Sequence, residues 1–203
     1  MTTIEVFADV QCPFTHVGLR RFVDRRRQLG RPDVRLRVRA WPLELVNGEP
    51  LAPDLIDEEV GELRRQVAPG LFGGFSRDVL PATSLPAMHL AAAAYERGDD
   101  AGEEESLALR WALFEEGRDI ADPRVLSDIA AAAGAAIEGS PGPEAVITDW
   151  RDGERRGVVG SPHFFVSGDG FFCPSLDITR GDGGHLRIRV DQAGLDAFLG
   201  RCF

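Results

Sequence analysis

Apolar and polar positions along this chain change period twice. Ile4 to Ala8 is a short apolar run that predicts a buried strand. Val17, Leu19, Phe22 and Val23 then form an apolar stripe, and Arg20, Arg21 and Arg25 to Arg27 the opposite face, which predicts a helix. Gly30-Arg31-Pro32 ends it. From Val34 to Trp41 the period is two: Val34, Leu36 and Val38 on one face, Arg35, Arg37 and Arg39 on the other. The arginines read as a solvated face rather than an anion site. The order β-α-β predicts two parallel strands joined by a right-handed crossover.

From about Pro53 to Trp150 the pattern is helical. Helices are expected over Asp57–Val67, Pro86–Arg97, Glu103–Glu116 and, behind an Asp122 cap, Pro123–Ala133, with Leu71 to Phe75 as a loop. The acidic cluster Asp99, Asp100 and Glu103 to Glu105 suits a helix N-terminus and receives no function. Strand signals return at Val158. Gly157 to Val166, a Ser167-Gly168-Asp169-Gly170 turn and Phe171 to Cys173 read as a β-hairpin. His185 to Val190 alternates as a further strand, and Gln192 to Arg201 closes the chain as an amphipathic helix. This divides the 203 residues into a discontinuous α/β domain, 1–50 and 151–203, and an inserted helical domain, 51–150.

Composition removes several classes. Apolar content of 43% and charged content of 28% belong to an ordinary globular protein. A net charge of −10 argues against nucleic-acid binding, which needs a basic surface. Met1-Thr2-Thr3 runs into an acid-containing strand with no basic leader, and alanine-rich stretches such as Ile129–Ile137 are too short to span a bilayer. A cytoplasmic protein with no membrane association is expected. Cys12, Cys173 and Cys202 are widely spaced and odd in number, which argues against a disulfide framework. No Cys/His cluster has zinc spacing, so no metal site is expected.

Candidate chemistry concentrates at Cys12. It stands at the turn from the first strand into the first helix, with Pro13 in the first helical turn, where a missing N–H costs nothing. Unpaired backbone N–H groups and the positive helix end favour thiolate there, so a depressed pKa is expected. The competing reading is a small, buried, inert cysteine. Thr15, three residues on, is placed to point its N–H and hydroxyl at the sulfur, in the manner of a capping box. His16, one turn beyond Cys12, is a candidate ion-pair partner or a surface histidine. Pro162, at the mouth of an aromatic strand, reads as an edge feature or a cis bond.

Cys12-Pro13-Phe14-Thr15 resembles the Cys-Pro-aromatic-Cys site of the DsbA-like thioredoxin-fold proteins, with Thr15 where the second cysteine usually stands. Gly157-Val158-Val159-Gly160-Ser161-Pro162 resembles that family's cis-proline loop. The stretch Phe114 to Pro123, with Val125 and Leu126, resembles a segment of its FrnE-type branch, and Ser84 to Ala87 fits the preceding helix start more loosely. The resemblance implies a thioredoxin-like α/β fold with a helical insertion. It also implies catalytic roles for Cys12, Thr15 and Pro162, and thiol or substrate binding by Pro13, Phe14, His16, Gly160 and Ser161. The same architecture is similar to kappa-class glutathione transferases and 2-hydroxychromene-2-carboxylate isomerases, which carry serine at the position of Cys12.

The expected activity is thiol–disulfide exchange through a single nucleophilic cysteine. The expected partners are protein disulfides and glutathione or another small thiol, with no tightly bound cofactor and a homodimer left open. The alternatives are a kappa-type transferase or isomerase, and a binding protein on the same fold. Cys173, flanked by Phe171, Phe172 and Pro174, is expected to be buried, with a raised pKa, and not to bridge to Cys12.

Overall fold

The computed structural model describes residues 2–133, 144–181 and 183–203. Strand β1 (Thr2–Ala8) is the centre of the sheet, with β2 (Val34–Ala40) parallel on one side. Antiparallel β3 (His163–Val166) lies on its other side, followed by β4 (Asp169–Phe172), in the order β2-β1-β3-β4. Helix α1 (Pro13–Gln28) makes the crossover between β1 and β2. Ile4 and Val6 to Ala8 of β1 are apolar and buried because both faces of the strand are covered there. Ile4, Val6 and Ala8 pack with Leu19, Phe22 and Phe164 against α1 and the last helix, α8 (Gln192–Cys202). Phe7 packs on the opposite side with Trp41 and Val158.

Between β2 and β3 the chain forms the expected helical insertion. It comprises α2 (Leu43–Asn47), α3 (Pro53–Gln66), a 3₁₀ turn at Arg77–Val79, α4 (Leu85–Glu96), α5 (Asp99–Phe114), α6 (Pro123–Ala132) and α7 (Glu144–Arg155). Its apolar interior, with Ile56, Leu63, Phe72, Leu109, Leu113 and Phe114, is continuous with Val17 of α1. α5 begins at Asp99, four residues before the expected start, because Gly98 turns the chain at φ 130° and two aspartates fit the first turn. α7 runs through the expected domain boundary at 150/151 and packs on β2. The final part of the Ile129–Ile137 stretch lies outside the described residues.

The insertion seals the sheet's open edge. Of the outward N–H groups of β2, Leu36 donates to Glu103 (2.8 Å), Val38 to the Tyr95 hydroxyl (2.7 Å) and Ala40 to Asp149 (3.0 Å). The Tyr95 hydroxyl donates in turn to the Leu36 carbonyl (3.2 Å). An edge strand's ladder groups are thus satisfied by side chains instead of another strand. The arginines of β2 are ion-paired rather than simply solvated: Arg37 with Asp99 (3.0 Å), Arg35 with Asp100, Arg39 with Asp149 (2.7 Å) and Asp152 (2.5 Å). Three members of that acidic cluster, Asp99, Asp100 and Glu103, therefore have a structural role.

The C-terminal segment differs from expectation in two ways. β3 starts at His163, and the residues from Val158 to Pro162 form a loop ahead of it. β6 (Leu186–Val190) does not join the main sheet but pairs antiparallel with β5 (Leu176–Arg180), a strand the pattern does not announce. This hairpin rests on α3, whose Gln66 carboxamide accepts from the Ile188 N–H (2.9 Å). Among the described residues no helix is long and apolar enough to cross a membrane.

Candidate functional site

Cys12 is the N-cap of α1, with extended dihedrals (φ −77°, ψ 114°), and Pro13 opens the helix. The turn before it is tied by the Asp9 carboxylate. One oxygen accepts from the Gln11 N–H (2.7 Å); the other accepts from the Leu43 N–H (2.7 Å) and the Ser84 hydroxyl (3.3 Å). Burial raises Asp9 to about 6 against the lowering effect of those N–H groups. The Asp9 carbonyl accepts from the Cys12 N–H and from Arg110 (3.2 Å), so α5 also grips the turn.

The opposite wall is the loop before β3, where the Ser161–Pro162 peptide bond is cis. The Cys12 thiol donates to the Ser161 carbonyl (3.2 Å). The Thr15 and Ser161 hydroxyls share a hydrogen bond (2.8 Å), and the Asp9 N–H donates to the Ser161 hydroxyl (2.9 Å). Pro162 packs over Gly18 of α1, 3.6 Å from where a Cβ would stand. Cys12, Thr15, Ser161 and Pro162 are therefore brought together from residues some 150 positions apart. Gly160 lies under the Phe172 ring, which a Cβ there would meet at 2.6 Å. Phe172 and Val159, 71% exposed, offer apolar surface beside the loop.

Two expectations change here. The Cys12 thiol is not depressed: the residue is 3% exposed, and burial pushes its pKa up against the lowering influence of the Thr15 and Ser161 side chains beside it. The contact with the Ser161 carbonyl agrees, since only a protonated sulfur donates there. The capping geometry of Cys12 is present, but its side chain makes no capping hydrogen bond to α1. His16 turns away from Cys12. It is buried between Phe72 and Phe114, with Nε2 2.7 Å from a Glu115 carboxylate oxygen, and burial lowers its pKa. Phe14 is half-buried against the interior of the insertion.

The sequence did not single out Asp9, Arg110 or Glu115. Glu115 accepts from His16 and from the Phe72 (2.8 Å) and Gly73 (3.1 Å) N–H groups; these outweigh burial and hold it down to about 2. An aspartate two residues ahead of a turn N–H is a recognisable Asx signal. Nothing local marks Arg110, and Glu115, although it lies in the Phe114–Pro123 stretch, carries no sign of its pairing with His16, because both residues' partners are distant in sequence. Cys173 follows β4 at φ 43°, its N–H donating to the Pro162 carbonyl (2.9 Å), and burial pushes its thiol up to about 12. Among the described residues no group of three or more His, Cys, Asp or Glu is placed to hold a metal.

A thiol at a helix N-terminus facing a cis-proline loop, with helices inserted between β2 and β3, defines a thioredoxin-like protein of the DsbA type. Residues 3–180 match the family model of the DSBA-like thioredoxin domain, and the chain belongs to that family. A search of curated proteins by sequence returns no match. Among solved structures, the chain is similar to the cytosolic disulfide reductase DsbM from Pseudomonas aeruginosa (17% identity, TM-score 0.64, 98% of each chain covered). A putative protein disulfide isomerase from Nitrosomonas europaea is comparable (12% identity, TM-score 0.65, 98% of each chain). So is a 2-hydroxychromene-2-carboxylate isomerase (15% identity, TM-score 0.65, 84% of this chain and 88% of that one). At these identities the likeness establishes the fold.

Proposed function

We propose that this protein is a thiol–disulfide oxidoreductase that works through Cys12 alone, with a small thiol such as glutathione as co-substrate. The observation that supports this most directly is the 3.2 Å contact between the Cys12 sulfur and the Ser161 carbonyl of the cis-proline loop. An extended peptide pairing with that loop would offer its own N–H to the carbonyl. The thiol would lose its acceptor, and the Thr15 hydroxyl and the helix N-terminus would be left facing a thiolate.

The Cys12 thiolate then attacks one sulfur of a substrate disulfide, forming a mixed disulfide and releasing the other half as a thiolate that takes up a proton. A second thiolate, from the small thiol, attacks that bond, freeing Cys12 and leaving with the retained half as a new disulfide. Bonds and electrons balance without a second protein cysteine. A structure of DsbM with GSH, at 17% identity and TM-score 0.63, makes glutathione a reasonable first choice. Three free thiols suit a reducing compartment such as the cytoplasm.

The likeness to the chromene-carboxylate isomerase supports a second reading: Thr15 and Ser161 orient the thiol of bound glutathione for transfer or isomerisation. One assay set separates the two. Reduction of a glutathionylated peptide by glutathione, lost in Cys12→Ser, supports the first. Conjugation of a model electrophile that survives Cys12→Ser supports the second, and turnover of neither substrate leaves a binding protein.

A further inference from the structure

A cavity of about 420 Å³ lies between the β1–β2 side of the sheet and helices α4, α5 and α7. Cys12, Thr15, Ser161 and Pro162 are not among its walls, so it is separate from the thiol site. Its size is that of a small-molecule site. Its walls are mixed: Val10, Val38, Met88, Ala91 and Leu109 are apolar, Glu5, Arg37, Arg39, Glu96 and Asp149 are charged, and α5 contributes Ser106 and Arg110.

Arg110 is 3% exposed, and the carboxylate that acts on it most is that of Asp9, with which it makes no ion pair. Its two terminal nitrogens donate to neutral carbonyls, of Ser106 (2.8 Å) and Asp9 (3.2 Å), and its Nε–H has no partner among the described residues. Among the described residues no carboxylate makes an ion pair with it. The Asp9 carboxylate is engaged by Gln11, Leu43 and Ser84. At the rim, Glu5 and Asp149 are held by Arg39, at 3.3 and 2.7 Å. The Ser106 hydroxyl is also fully buried, and its polar neighbour among the described residues is the Tyr95 hydroxyl, which already bonds Val38 and Leu36. Burial lowers Arg110 to about 10, which leaves it a cation at neutral pH. A buried guanidinium held only by neutral carbonyls is expensive, and a poorly satisfied hydroxyl beside it adds to the cost.

We propose that this cavity binds a small apolar monocarboxylate, its carboxylate on Arg110 and Ser106 and its hydrocarbon chain among Val38, Met88 and Ala91. One guanidinium edge and one hydroxyl match a carboxylate's two oxygens, and the apolar residues of β2 and α4 give a short hydrocarbon chain a place to lie.

The chain contains two methionines, Met1 and Met88, so methyl-labelled methionine gives an NMR signal within the cavity. Titration with octanoate is expected to shift the Met88 methyl resonance saturably. Octanol, equal in length but uncharged, is expected to bind at least about tenfold more weakly, the loss of roughly one charge-assisted hydrogen bond. Arg110→Met is expected to remove that preference. Ala92→Trp, which fills the cavity from α4, is expected to abolish the shift while circular dichroism stays native; it keeps the test decisive if Arg110→Met does not fold. An unmoved Met88 signal at about 10 mM octanoate, where any affinity tighter than millimolar would register, overturns the proposal. So does equal binding of octanol, or unchanged octanoate binding in Ala92→Trp.

Discussion

At the residue scale, the sulfur of Cys12 answers to two opposed influences: burial disfavours its charge, and the hydroxyls of Thr15 and Ser161 favour it. Removing one hydroxyl without changing shape leaves burial less opposed. Thr15→Val is therefore expected to move the midpoint of Cys12 alkylation by iodoacetamide upward by about 0.5–1 pH unit, the worth of one hydrogen bond. A midpoint that stays or falls would show that Thr15 does not touch the titrating sulfur. Cys173 is the other thiol near the loop, and its chemistry argues against a resolving role. Burial pushes its pKa up to about 12, so almost none of it is thiolate near neutral pH. Oxidation with glutathione disulfide is accordingly expected to give Cys12–glutathione adducts or Cys12-linked dimers. Non-reducing peptide mapping checks this, and a dominant Cys12–Cys173 peptide would replace the single-thiol mechanism with a two-cysteine one.

At the scale of elements, β2 is an edge strand in hydrogen bonding yet not in exposure, because side chains from α4, α5 and α7 occupy its ladder. Tyr95→Phe removes one hydroxyl and leaves the Val38 N–H and the Leu36 carbonyl unpaired. A loss of about 1–3 kcal/mol is expected, the range for a buried group left without its partner. Urea unfolding measures it, and a loss under about 0.5 kcal/mol, the scale of an ordinary surface substitution, would mean water replaces the hydroxyl. The same contacts explain what could be read along the chain. β1, α1 and β2 were legible because period and burial coincide there: Val34, Leu36 and Val38 are buried as the alternation demands. The Cys12 turn and the Gly160-Ser161-Pro162 loop were legible as motifs, and their meeting followed from the fold. β5 was not legible, since Leu176 is its one buried residue and its pairing is with β6 alone. The turning of His16 to Glu115 was equally invisible, because a partner 99 residues away leaves no local pattern.

At the scale of the whole molecule, the His16–Glu115 pair ties the helical insertion to the helix that carries Cys12, with Phe72 and Gly73 completing the joint. Its pH dependence follows from the two titrations. Glu115 is held at about 2, below its ordinary 4.5, so its contribution is fully present above pH 4.5 and is lost as pH falls towards 2. His16 is lowered below 6.5, so its burial as the neutral form favours folding above pH 6.5 and weakens as the unfolded histidine takes up a proton. Asp9 acts in the opposite sense. Raised to about 6, it gains stability as pH falls from 6 towards 3.8, which partly offsets the loss from His16 across that range. The Glu115 contribution is isolated by difference. Glu115→Gln is expected to cost about 1.5–3 kcal/mol at pH 7, the worth of hydrogen bonds to a charged acceptor. For a chain of this size that is roughly 2–4 °C in Tm for each kcal/mol. Because Glu115 also raises the His16 pKa, the gap should not shrink from pH 7 to about 5, and it should close between 4.5 and 2, as the native carboxylate loses its advantage. Thermal unfolding of both across that range checks the claim. A gap that persists undiminished at pH 2.5 would assign the cost to altered packing around Phe72 rather than to the charge on Glu115.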